Sequence, residues 1–236
     1  MIEPEISMIK RLLSLSIPLS LIGGVQADSG QLGRIFARGN MYAPVAQLEK
    51  IAGKPVSIDG DERIYQVGQC RVTVYADSLN NVPDVVQEID MAVSPVCTFD
   101  LSRVVEVPRG TYVHELTFGQ FRRLMHNPYL CPPTATPDNP DYPSHQKEIT
   151  LTFMGSDTIP GDPPIVITND MTSKESRQAI SRWEAYIKKK EGPAYKAENW
   201  FSLANYRYNQ QGQVYFRNIP ITHIQVGSIG GMLECQ

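Results

Sequence analysis

Apolar side chains along this chain follow two rhythms, and the changes from one to the other mark out its elements. A helical spacing appears first at Val45, Leu48, Ile51 and Ala52, with Pro44 suited to a first turn and Gly53 followed by Pro55 as the stop. Three runs with strand rhythm come next. Residues 64–67 lead through Gly68 and Gln69 into residues 70–76, where Val72, Val74 and Ala76 alternate with Arg71, Thr73 and Tyr75. After a stretch rich in turn formers at 77–81, Val85, Ile89, Met91 and Val93 alternate with Val86, Glu88 and Asp90, which predicts a strand with one buried face.

The rhythm restarts beyond a connector at 103–110. Thr117 and Gln120 have the spacing of a capping box, with Leu116 placed to staple onto Phe121, and Phe121, Leu124 and Met125 give the following helix an apolar face. Residues 127–147 hold six prolines and no periodicity, which reads as a long irregular loop. Residues 149–154 and 165–168 read as strands. Thr172 with Glu175 forms a second capping box, opening a helix whose stripe is Ser176, Ala179, Ile180, Trp183 and Ile187 and whose stop is Gly192-Pro193. Residues 203–208 and 213–218 flank a turn at 209–212 and read as a hairpin, and 221–226 as an edge strand after Pro220. The fold class is therefore α+β, in two small modules, 28–106 and 107–236, each an antiparallel meander packed by one or two helices.

The N-terminus changes the picture. From Met8, Lys10 and Arg11 precede an apolar run at 12–22, and Val25-Gln26-Ala27 offers small residues for cleavage before Asp28. This is the three-part pattern of a secretory signal peptide with its true start at Met8. A membrane span needs roughly 20 apolar residues, about twice this run, so no span is expected. No cysteine adjoins the cleavage site and no Asn-x-Ser/Thr sequon occurs, so the expected destination is the bacterial periplasm or the medium.

In such a compartment the four cysteines, Cys70, Cys97, Cys131 and Cys235, read as two disulfides. Cys70 begins one predicted strand and Cys97 follows the next. If those strands are antiparallel neighbours the two lie within bonding reach, leaving Cys131 for Cys235. No Cys-x-x-Cys or Cys/His spacing suggests a metal, and none is expected. The net charge is −3, and the leader's Glu3, Glu5, Lys10 and Arg11 cancel, so the remainder keeps that value. Nucleic acid is not an expected partner. The basic run at 188–190 suits the last turn of a helix.

The run APVAQLEKIAGKP…ERIYQVGQCRVTVYADSLNNVPDVVQEID, within residues 43–93, resembles the small envelope module of the SmpA/OmlA family. The matching positions are Ile51, Gly53 and Pro55 at the helix end, Tyr65, Val72 and Val74 on two strands, Asp77 in the turn and Val85 on the third strand. The resemblance implies an αβ unit supporting outer-membrane protein assembly. This chain departs from that family in lacking a lipid-bearing cysteine, in carrying a cysteine pair and in adding a second module.

Searching for chemistry yields no HExxH, GxSxG, Walker or SxxK arrangement. Gly227, Ser228, Gly230 and Gly231 place a serine among glycines without elbow spacing, and His114, His126, His145 and His223 are scattered singly. Two groups are candidates for binding. Asp138, Asp141, Tyr142 and His145 lie close together on the proline-rich loop, and Trp200, Tyr206, Tyr208 and Tyr215 are interleaved with amides near the C-terminus. Asp157, Asp162 and Asp170 lack a calcium-loop pattern. No cofactor is implied. The sequence thus reads as a non-enzymatic envelope protein that binds another envelope protein or a glycan. The alternatives are a glycan hydrolase using Asp138, Asp141, Asp157 and Asp162, and a secreted inhibitor. Oligomeric state is not legible.

Overall fold

The computed structural model describes residues 25–79, 82–125, 134–136, 148–153, 163–170, 173–196 and 207–227. The chain is α+β. Its first half runs α1 (Val25–Ile35), α2 (Val45–Ala52), β1 (Ser57–Asp59), β2 (Glu62–Val67), β3 (Cys70–Leu79) and β4 (Val82–Ala92). The second runs α3 (Phe118–Leu124), β5 (Thr134–Thr136), β6 (Glu148–Phe153), β7 (Ile165–Asn169), α4 (Lys174–Glu191), α5 (Asn209–Phe216) and β8 (His223–Gly227). All neighbouring strands pair antiparallel, in the order β1-β2-β3-β4-β8-β7-β6-β5.

That order revises the reading of the last strand. Residues 221–226 were an expected edge, yet β8 lies at the centre, with Ile89 opposite Val226 on one side and Ile167 opposite Ile224 on the other. The two meanders are thereby joined into one sheet across the 106/107 boundary. An apolar alternation cannot by itself distinguish a central from an edge position, because both bury one face. The proline-rich loop also differs from expectation, since its residues Thr134–Thr136 pair with β6.

The core lies on one face of this sheet. Tyr65, Val72, Val74, Ile89, Met91, Ile167, Ile224 and Val226 form a single buried cluster with Leu32, Ile35 and Phe36 of the first helical region, Leu48 of α2, Phe121 of α3 and Trp183 of α4. Strand β4 needed a correction for this to work. Alternation put Val86 with Glu88 and Asp90 on the solvent side, but the register skips Gln87, with Tyr75 opposite Glu88 and Ala76 opposite Val86. The bulge reverses the parity of the strand, so that Val86 joins Ile89 in the core. Val85 is buried as well, bridged to Pro44.

The capping reasoning transfers well at α3, where the Thr117 hydroxyl accepts from the Gln120 N–H and the Gln120 side chain accepts from the Thr117 N–H. At α4 the N-cap is Ser173, which accepts from the Ser176 N–H, Thr172 lies outside the described residues, and all five predicted stripe residues are buried. Gly192 ends the helix with φ 56°. The hairpin expected around 209–212 is instead α5. Gln210, Gln211 and Gln213 tolerate a helix, and Gly212 lets α5 press against α4, since a Cβ there would lie 2.9 Å from Trp183 Cζ2. The Phe216 ring meets the Trp183 indole edge-on, with centroids 5.0 Å apart.

Tyr65 carries a cost within this core. Its ring is fully buried and its hydroxyl has no hydrogen-bond partner among the described residues. Burial first, and the nearby Glu49 carboxylate second, push the phenol up to about 12. Because an orphaned buried hydroxyl costs roughly 1–3 kcal/mol, Tyr65→Phe should leave stability unchanged or raise it by about 1 kcal/mol. Urea unfolding of the two proteins checks this, and a loss of stability in the variant would mean that the hydroxyl is engaged.

Candidate functional site

The second face of the sheet is polar, and no described helix contributes to a core on that side. Its side chains fall into cross-strand rows set by the register. One row runs Asp59, Glu62, Tyr75, Glu88 and Gly227 across β1, β2, β3, β4 and β8. The next runs Ser57, Ile64, Thr73, Asp90, Gln225, Val166 and Thr152, from β1 to β6. His223 then stands opposite Ala92 on β4 and Thr168 on β7. These positions face outward because their neighbours at one residue's remove carry the core's aliphatic groups, and strand side chains alternate.

Two features concentrate chemistry here. His223 Nε2 and Asp90 Oδ2 are 2.5 Å apart, a diagonal pair between β8 and β4. Beside them is a hollow of about 350 Å³, lined by Asp90, Asp170, His223, Gln225 and the apolar Ala92 and Val166. Val166 is only 6 % exposed and stands outside the main core. The Thr222 hydroxyl lines the hollow too, but it donates to the Thr168 carbonyl and accepts from the Asp170 N–H. The Asp–His pair can therefore hold or pass a proton, while the adjacent hydroxyl is committed to the backbone. The described residues contain no group of three His, Cys, Asp or Glu side chains able to hold a metal.

Among the described residues, Glu88 is the most perturbed carboxyl. Burial first, and the Asp90 carboxylate two residues along the strand second, push it up to about 7, against a hydrogen bond with the Gln225 side chain and the nearby His223. The folded protein then holds a proton that the unfolded chain has released, so stability falls as pH rises from the usual carboxyl range through about 7. After allowance for partial exposure the loss should be about 1–2 kcal/mol. Glu88→Gln should flatten this dependence and be the more stable protein at pH 8, as measured by urea unfolding at pH 5 and pH 8. An unchanged slope would assign the effect elsewhere.

The sequence-derived candidates fare differently. Asp138, Asp141, Tyr142, His145, Asp157, Asp162, Trp200 and Tyr206 lie outside the described residues, as do Cys131 and Cys235 and the leader through residue 24. Tyr208 and Tyr215 belong to the α5 region and not to a strand face: both rings pack on Tyr186 of α4, and the Tyr208 hydroxyl donates to Glu191. They brace helix against helix. Asp170 lies at the hollow, away from any described calcium-like cluster. Cys70 and Cys97 are joined, with Cα atoms 5.4 Å apart, as the antiparallel β3–β4 pairing requires.

Glu88, Asp90 and His223 were missed as a site because His223 is 133 positions from Asp90. The usable signal was local: two acids at alternate positions of a half-buried strand, and a histidine and a glutamine at alternate positions of another. Compared with known proteins, the chain matches no family model, no curated protein and no solved structure.

Proposed function

We propose that this chain is an exported bacterial envelope protein that acts by binding another protein, with the polar face of its sheet as the contact surface. The observation that carries the reading is that polar face, where Tyr75, Glu88, Asp90 and His223 stand on the opposite side of the sheet from the core that the described helices cover. Binding is favoured over catalysis because the Asp90–His223 pair has its neighbouring hydroxyl, Thr222, tied to backbone groups. Export is supported by the leader pattern at 8–27 and by the Cys70–Cys97 disulfide, which suits an oxidising compartment. Among the described residues no helix is long and apolar enough to cross a membrane.

Cleavage before Asp28 is compatible with the fold. It falls in the first turn of α1, ahead of Leu32, Ile35 and Phe36, through which this region enters the core. The resemblance of residues 43–93 to the SmpA/OmlA module points the same way, since apart from the short β1 the chain runs α2, β2, β3 and β4, the order it implies. Fractionation of expressing cells with mass spectrometry tests the export. The expected product begins at Asp28 in the envelope fraction, with Cys70 and Cys97 resistant to alkylation until reduced. A leader-bearing protein with alkylated thiols in the cytoplasm would overturn it.

A further inference from the structure

We propose that the β4–β8 seam is a pH-sensitive joint, worked by Glu88, Asp90, Gln225 and His223, that is closed most firmly in mild acid and opens more readily as pH rises through neutrality. The inference goes beyond the binding reading and does not depend on it.

The seam matters because β8 is the strand through which the two meanders become one sheet. Its register runs from Glu88 opposite Gly227 to Ala92 opposite His223. At one end the Gly227 N–H turns away to the Pro164 carbonyl, and at the other the Val93 N–H reaches the Thr222 carbonyl. That parity makes Ile89–Val226 and Met91–Ile224 the hydrogen-bonded pairs of the seam. The pairs between them have the closer side chains. Those are the pairs that carry Glu88, Asp90, Gln225 and His223 on the polar face.

Two diagonal contacts cross the seam there. The Gln225 side chain hydrogen-bonds to the Glu88 carboxyl, and Asp90 Oδ2 stands 2.5 Å from His223 Nε2. Each runs from an acid on β4 to the β8 residue opposite the next outward position. The lacing of the seam on this face is thus built from three titrating groups and one amide.

Protonation changes both contacts in the same direction. In mild acid Glu88 keeps its proton, and a protonated His223 pairs with the Asp90 carboxylate. At higher pH Glu88 ionises beside Asp90 on the same strand, and loss of the imidazolium charge removes the cation on β8 that faced both acids. Opening the seam returns Glu88 to its ordinary carboxyl range. The closed state is therefore favoured fully below that range and loses ground as pH rises through about 7. The groups facing Glu88 from the other side, Tyr75 on β3 and Glu62 on β2, add no positive charge that would reverse the sign. Beside His223, Asp170 lines the same hollow, and Arg71, next to the Val72–Met91 pair on β3, is two strands away.

The test follows amide hydrogen exchange in the full, oxidised chain labelled with 15N, from pH 5 to pH 8, with each rate corrected for its intrinsic pH dependence. Protection at Ile89, Met91, Ile224 and Val226 should fall about tenfold over that range, and at Tyr65 and Val72 of the β2–β3 pair by less than about twofold. The midpoint of the fall should coincide with the titration of the Glu88 carboxyl, followed by its 13C shift. Glu88→Gln should remove most of the fall, and Glu106→Gln, at an exposed acid beyond β4, should leave it intact. Constant protection at the seam, an equal loss at Tyr65 and Val72, or a fall retained in folded Glu88→Gln would overturn the inference. If Glu88→Gln does not fold, the two midpoints in the unaltered protein decide, and separate midpoints overturn it. None of these outcomes bears on the binding reading, which fails separately if no partner contacts the polar face in cells.

Discussion

Replacing both cysteines of the observed disulfide, as Cys70→Ala with Cys97→Ala, should destabilise the protein by about 3 kcal/mol or more. The bond closes a sequence separation of 27 residues, for which the chain-entropy account gives between 3 and 4 kcal/mol, roughly. Its position adds local consequences. It joins the start of β3 to the segment following β4, where Ser94 and Cys97 also exchange hydrogen bonds. That segment delivers Phe99 onto Phe36, whose rings stack with centroids 4.3 Å apart, and so connects the sheet to the region following α1. Urea midpoints of the oxidised protein and the double variant measure the difference. A loss below about 1 kcal/mol would show that the meander and the Phe36–Phe99 stack hold the connector without the bond.

The second large effect belongs to Gly227. This residue ends β8 opposite Glu88 and adopts φ 117°, where side chains are rarely tolerated. A Cβ would overlap the carbonyl oxygen of Gln87 and stand 2.9 Å from Glu88 Cα. Gln87 is the bulged residue that restores β4's buried parity, so the close approach is bound up with the feature that puts Val86 in the core. Gly227→Ala should therefore cost about 3 kcal/mol, through backbone strain and displacement at the β4–β8 seam. Gly30→Ala is the control. Gly30 lies in α1 with nothing within 4 Å of its added Cβ, so the same change there should raise stability by about 0.5–1 kcal/mol. Equal effects at the two glycines would remove the steric argument.

Three helices, α2, α3 and α4, were legible in the sequence, whereas α1 and α5 were not. The Thr117–Gln120 box and the stripe of α4 depend on residues within one or two turns, so sequence spacing is nearly the whole of the physics. The meander was legible for a similar reason, and with it the Cys70–Cys97 pairing, because hairpin neighbours lie close along the chain. Long-range choices were not legible. Nothing in His-Ile-Gln-Val-Gly shows that β8 inserts between β4 and β7, nor that Gln87 is skipped in the register. The α5 segment misled because its aromatic and amide residues suit either state until Gly212 meets Trp183.

The candidate site inherits those limits. Glu88 and Asp90 were visible as outward positions on a strand, but their partners come from β3 and β8 and depend on the pairing. Attention to dense clusters in the sequence favoured Asp138, Asp141 and His145, whereas the sheet builds its cluster from residues that are sparse in sequence and close in space.

Photo-crosslinking from a single residue in living cells is the most direct test of whether the polar face is where this protein meets another. A photoreactive residue placed at Thr73, between the acidic row and the hollow, should give a discrete adduct with one envelope protein, while the same group at Lys189 on α4 should not. Adducts from Lys189 and none from Thr73 would contradict the account.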